Sequence, residues 1–132
     1  HEGVQIDVDA EPGLERETAD FGEDRVTALA RILQEAASNS VRHGGAGLIQ
    51  VELRRDGDLL CLSVQDDGSG FDADGLVDGY EGLRAAGRRG LSNMFERSRL
   101  LGGELRLVSR PGEGCRVEVT VPPARRRERG GA

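Results

Sequence analysis

Val4, Ile6 and Val8 alternate with Gln5 and Asp7 until Glu11-Pro12-Gly13 ends the pattern, which is the period-two signature of a short strand. After a polar link, Leu14 to Gly22, the period changes. From about Glu23 to His43, Val26, Leu29, Ile32, Leu33, Ala36, Ala37 and Val41 recur at helical spacing, and Gly44-Gly45 stops the helix so predicted. Ile49, Val51 and Leu53 alternate with Gln50, Glu52 and Arg54. Asp56-Gly57 marks a tight hairpin turn, from which Leu60, Leu62 and Val64 run back antiparallel. Phe71 to Gly90 keeps no period and carries glycines at 75, 79, 82, 87 and 90, so a mobile loop with at most a helical turn is expected. Leu91, Met94, Phe95, Ser98 and Leu101 restore helical spacing, closed by Gly102-Gly103. Leu105 and Leu107 alternate, Pro111-Gly112-Glu113-Gly114 turns the chain, and Val117, Val119 and Val121 form the last strand. Every apolar position in these patterns is assigned to the core.

Two helices among short strands, mostly joined as antiparallel neighbours, predict an α+β fold. It is a two-layer α/β sandwich with the helices on one face of a mixed, mostly antiparallel sheet. A chain of 132 residues supports one such core. The expected domain is residues 1–123, and the Arg-rich tail, 124–132, is expected to be disordered.

Composition narrows the chemistry. Aromatics are 3% of residues and Trp is absent, so the core must be aliphatic. All 18 basic residues are Arg. A Walker P-loop, the strand lysine of eukaryotic-type protein kinases and Schiff-base catalysis all need Lys and are excluded. Cys61 and Cys115 are far apart and form no CxxC pair, so zinc has no framework. The tail holds four Arg and one Glu, so a net charge of −6 leaves −9 on the rest, which argues against direct nucleic-acid binding. No apolar run approaches membrane-spanning length and no signal peptide is visible, so a reduced, cytoplasmic chain without membrane contact is expected.

Two stretches carry candidate chemistry. Glu35 and Asn39, four apart, project from one helix face, with Arg42 and His43 a turn further on. An amide oxygen is a hard ligand suited to magnesium, Arg42 could take phosphate oxygens, and Glu35 could act as a base. The competing reading is an amphipathic helix with an ordinary polar edge. Asp66 closes a strand and precedes Gly68 and Gly70. A buried carboxylate there would accept from the exocyclic amine of adenine and reject guanine, whose carbonyl is another acceptor. An ordinary Asp-Gly turn is the alternative. An EF-hand loop is excluded, because no register puts oxygen ligands at positions one, three and five before a glycine at six.

The combination is more specific than its parts. Arg31-Ile32-Leu33-Gln34-Glu35-Ala36, Asn39 and Arg42-His43 come first, then Asp66-x-Gly68-x-Gly70-Phe71. Gly90-Leu91-Ser92-Asn93-Met94-x-Glu96-Arg97, Gly102-Gly103 and Pro111-Gly112-Glu113-Gly114 follow. This order, from about Val26 to Pro122, resembles the catalytic ATP-binding domain of bacterial sensor histidine kinases of the nitrate-sensor class. These belong to the wider gyrase, chaperone and MutL ATPase superfamily.

The resemblance implies the Bergerat ATP-binding fold, with ATP and Mg bound. Asn39 resembles the magnesium-binding asparagine and Glu35 the catalytic acidic residue that polarises the accepting histidine. Arg42 and His43 match the basic and His positions facing the phosphates. Asp66 matches the adenine-reading aspartate, with Gly68 and Gly70 in the first glycine box and Phe71 to Arg89 as the ATP lid. Gly90 and Leu91 match the second glycine box, and Gly112 and Gly114 the last. There are two departures. Arg88 stands at the first glycine position of the second box, where it or Arg89 could contact phosphate. Cys115 stands where Thr is usual, weakening that hydrogen bond.

The only histidines are His1 and His43. His43 belongs to the nucleotide helix and His1 has no helical context, so a catalytic fragment is expected. Its implied partners are the dimerisation and phosphoacceptor domain of its own kinase and, downstream, a response regulator, the isolated domain being monomeric. The alternatives are an anti-sigma-factor serine kinase of the same fold and a degenerate nucleotide-binding module.

Overall fold

A computed structural model describes residues 3–13, 22–42, 45–70 and 89–123, apart from the side chains of 23 and 89–91. Residues 14–21 of the predicted linker, 71–88 of the predicted loop and the tail at 124–132 lie outside the described residues, as do His1, His43 and Gly44. The strands are β1 (Gln5–Ala10), β2 (Leu48–Asp56), β3 (Leu59–Asp66), β4 (Glu104–Ser109) and β5 (Cys115–Val121). Among the described residues two helices, α1 (Glu23–Arg42) and α2 (Arg89–Leu100), interrupt them.

The strands form one five-stranded sheet in the order β1-β2-β3-β5-β4. β1 pairs β2 parallel, and every other pairing is antiparallel. A parallel pair requires a crossover, and α1 lies in the chain between β1 and β2. The predicted α+β sandwich is therefore the observed one. Asp56 pairs with Leu59, so the β2–β3 turn is Gly57-Asp58, one residue later than the predicted Asp56-Gly57.

One sheet face is apolar because alternate residues point to it. Ile49 and Val51 of β2, Leu60, Leu62 and Val64 of β3, and Val117, Val119 and Val121 of β5 are buried there. Helix α1 adds Leu29, Ile32 and Ala36 at its three- and four-residue spacing, and α2 adds Met94. Each fully buried aliphatic side chain contributes about 1.5–3 kcal/mol. An aromatic-poor chain therefore reaches stability through many medium-sized groups. Helix α2 ends in a Schellman motif: the Gly103 N–H donates to Ser98 C=O and the Gly102 N–H to Arg99 C=O, both at 2.9 Å.

Three core assignments are corrected. Ile6 is 51% exposed, Val8 66% and Val26 43%. Among the described strands β1 is an edge strand, paired with β2 alone. The helices pack mainly over the other end of the sheet, α1 against β3 and α2 against β4 and β5. The period-two pattern correctly set which face Ile6 and Val8 occupy. It carries no information about whether a helix covers that end of the sheet.

Candidate functional site

Asp66 is the last residue of β3 and pairs with Cys115, the first of β5. Its place in the strand alternation turns its side chain to the helix side, where it is buried. There it is well supplied with donors. Oδ1 accepts from the Gly68 N–H at 2.8 Å and from the Cys115 N–H at 3.1 Å. Oδ2 accepts from the Ser40 hydroxyl at 2.5 Å. Hydrogen bonds to a charged group contribute about 1.5–3 kcal/mol each, so this carboxylate can stay buried with its orientation fixed.

The glycines around Asp66 are placed by contact. Gly114 has φ +76°, and a Cβ there would lie 2.2 Å from the Asp66 carbonyl oxygen. Gly70 has φ +67°, and its Cβ would meet the Arg110 carbonyl oxygen at 2.2 Å and that of Gly114 at 2.7 Å. Only glycine fits either position. The Gly112 N–H donates to Ser69 C=O at 2.6 Å, and the Ser109 hydroxyl donates to Gly114 C=O at 2.7 Å. The first and last glycine boxes thus form one clasp behind Asp66. Cys115 joins it through its backbone, a bond that does not depend on having Thr at that position.

Helix α1 runs unbroken through Glu35, Asn39 and Arg42, placing all three on one side over two turns. Glu35 and Asn39 are half-buried and Arg42 is exposed. Ser40, next to Asn39, links this helix to Asp66, so the predicted magnesium end and adenine end meet through one residue. Arg89, Gly90 and Leu91 start α2. His43, Arg88 and the predicted lid from Phe71 lie outside the described residues.

The sequence reading missed two polar residues. Ser40 looked like a bland helix position, and no local pattern marks it. Asp67 was treated as a spacer. Its Oδ1 accepts from the Gly47 N–H at 2.9 Å and the Leu48 N–H at 3.0 Å, tying the end of β3 to the start of β2. The Leu48 and Gly47 amides hold its carboxyl below the usual carboxylate range. A hollow of about 250 Å³ opens on the far sheet face between Asp7, Gln50, Glu52, Gln65 and Arg116. Asp7 and Glu52 are exposed there, so it lacks a buried, bonded carboxylate like Asp66.

Over residues 24–125 the chain matches the family of histidine kinase-, DNA gyrase B-, and HSP90-like ATPases, and it belongs to that family. An uncharacterised sensor-like histidine kinase of Chloroflexus aurantiacus is 41% identical over 96 residues, covering 72% of this chain and 16% of that protein. The sensor protein VraS of Staphylococcus aureus is 39% identical over 94 residues, covering 71% of this chain and 25% of VraS. The chain thus spans a quarter or less of these relatives. Among solved structures, a blue-light activated histidine kinase of Erythrobacter litoralis has a TM-score of 0.69 at 21% identity, covering 96% of this chain and 37% of that one. The ATP binding domain of PrrB from Mycobacterium tuberculosis has a TM-score of 0.67 at 22% identity, covering 93% and 82%. At such identities the likeness establishes the fold.

Proposed function

We propose that this chain is the ATP-binding catalytic domain of a two-component sensor histidine kinase of the nitrate-sensor class. It takes the γ-phosphoryl of Mg-ATP to a histidine on a separate helical dimerisation domain, from which a response regulator receives it. The observation that carries this reading is Asp66, a buried carboxylate to which three donors among the described residues leave one lone-pair site, beside a helix bearing Glu35 and Asn39. That remaining acceptor suits the exocyclic amine of adenine. Family membership, one relative named a sensor-like histidine kinase and one named a sensor protein support the same assignment.

The donor set fits magnesium. Among the described residues no group of three His, Cys, Asp or Glu could hold a metal. Magnesium accepts one protein oxygen when phosphates and water complete its shell, and the Asn39 amide offers that oxygen. Bound magnesium would neutralise phosphate charge. Arg42 binds phosphate oxygens from the exposed side, with His43, Arg88 and Arg89 proposed beside it. Glu35 takes the proton that the attacking imidazole loses as its N–P bond forms and ADP leaves. Among the described residues no helix is long and apolar enough to cross a membrane, and the proposed setting is the cytoplasm, where ATP is supplied.

The test has two readouts. With magnesium present, the chain should bind ATP more tightly than GTP by at least about tenfold, because a second acceptor facing Asp66 leaves a buried group unpaired. With γ-labelled ATP it should label the helical domain of its parent kinase added in trans, and not itself. Equal affinity for the two nucleotides, or strong acid-labile labelling of His43, would overturn the reading.

A further inference from the structure

A carboxylate offers about four lone-pair sites. At Asp66 two on Oδ1 go to the Gly68 and Cys115 amides, and one on Oδ2 goes to Ser40, so among the described residues the site left over lies on the oxygen that Ser40 holds. The two backbone donors fix Oδ1. Rotation of the carboxylate about that anchored oxygen is limited by Ser40. Both residues are buried, Ser40 at 6% exposure and Asp66 at 8%, so bulk water competes poorly for this contact.

The Ser40 hydroxyl has one proton and two neighbouring acceptors, Ala36 C=O at 3.0 Å and Asp66 Oδ2 at 2.5 Å. The shorter distance falls in the range of charge-assisted O–H···O⁻ bonds. Ala36 C=O also lies four residues back in α1, where it receives the helix's own Ser40 N–H. The proton therefore belongs to Asp66. A serine satisfied only by its own helix would leave Asp66 with a freely turning Oδ2.

We propose that Ser40 is a positioning residue for nucleobase selection, aiming the last lone pair of Asp66 at the exocyclic amine of adenine. The proposal rests on the ATP-binding reading above and adds a specificity determinant to it. A structural serine would support every nucleotide equally. A positioning serine acts only on ligands that carry the amine.

The test compares ATP with purine riboside triphosphate, which lacks that amine, by calorimetric titration of this chain and its variants with magnesium. Ser40→Ala should weaken ATP by about tenfold or more, the scale of one hydrogen bond to a charged partner. It should change the amine-free nucleotide by less than about twofold, since no coupled contact is lost. Ser40→Thr, which keeps the hydroxyl, should restore the preference. The ratio is taken within each variant, so an altered folded fraction cancels. Equal weakening of both nucleotides by Ser40→Ala, or of neither, overturns the positioning role. Asp66→Asn separates the two readings: if it spares the ATP preference, the adenine assignment falls, and if it alone removes the preference, only the Ser40 inference falls.

Discussion

A methyl group on Gly114 would sit 2.2 Å from the carbonyl oxygen of Asp66, closer than atoms can approach without moving backbone. Gly112, two residues earlier, shares a positive φ, +82° against +76°, yet a methyl group there would have nothing within 4 Å of it. The pair isolates contact from conformation. Gly112→Ala should cost about 1–2 kcal/mol in urea unfolding, the penalty of left-handed backbone alone. Gly114→Ala should cost more than that and also weaken ATP, because the displaced backbone carries Asp66, the proposed adenine reader. Equal losses in the two variants would refute the clasp.

Glu35 and Asn39 share a helix side but differ in chemistry, so their substitutions should separate. Asn39→Ala removes the proposed oxygen ligand and should weaken magnesium-nucleotide binding by about tenfold. Glu35→Gln keeps shape and should leave binding near its original value. It should slow phosphotransfer to the helical domain by about 10²-fold or more, the usual weight of a general base. If both variants lose binding alike and transfer per bound ATP is unchanged, Glu35 is not the base.

The face-by-face arrangement of Glu35, Asn39 and Arg42 was legible because helical period alone fixes it. Asp66 was legible as a strand-terminal acid before glycines. Its burial and its partners were not, since Ser40 is 26 residues away and Cys115 is 49. Such contacts arise from sheet order and helix placement, which no local window encodes. The exposure of Ile6 and Val8 escaped for the same reason: only the position of β1 at the sheet edge reveals it.

Asp67 should contribute to acid sensitivity. Its carboxyl is held below the usual range by the Leu48 and Gly47 amides. Lowered in the folded state, it adds stability that is fully present above the unfolded value of about 3.9. That stability is lost as pH falls from there through the folded value. Asp67→Asn should leave less stability at pH 7 and a shallower decline as pH falls below about 4 in denaturant titrations. An unchanged acid slope would show that the Gly47 and Leu48 contacts do not favour the charged form.

Cys115 and Cys61 give a final, chemical check on where the nucleotide sits. No disulfide engages either thiol. Cys115 pairs with Asp66 at the clasp and is partly buried, on the sheet side that faces the helices. Cys61 is buried among open-face residues Glu52, Arg54, Ser63 and Glu118, and burial pushes its thiol up from the usual range. A thiol kept protonated attacks electrophiles slowly, so Cys61 should resist iodoacetamide at pH 8 in the folded chain. Cys115 should react faster, and saturating Mg-ATP should slow it by at least about threefold through occlusion, leaving Cys61 unaffected. Peptide mapping of the alkylated chain distinguishes the two sites. Protection of Cys61 instead, or of neither, would place the nucleotide away from Asp66 and refute the site as drawn.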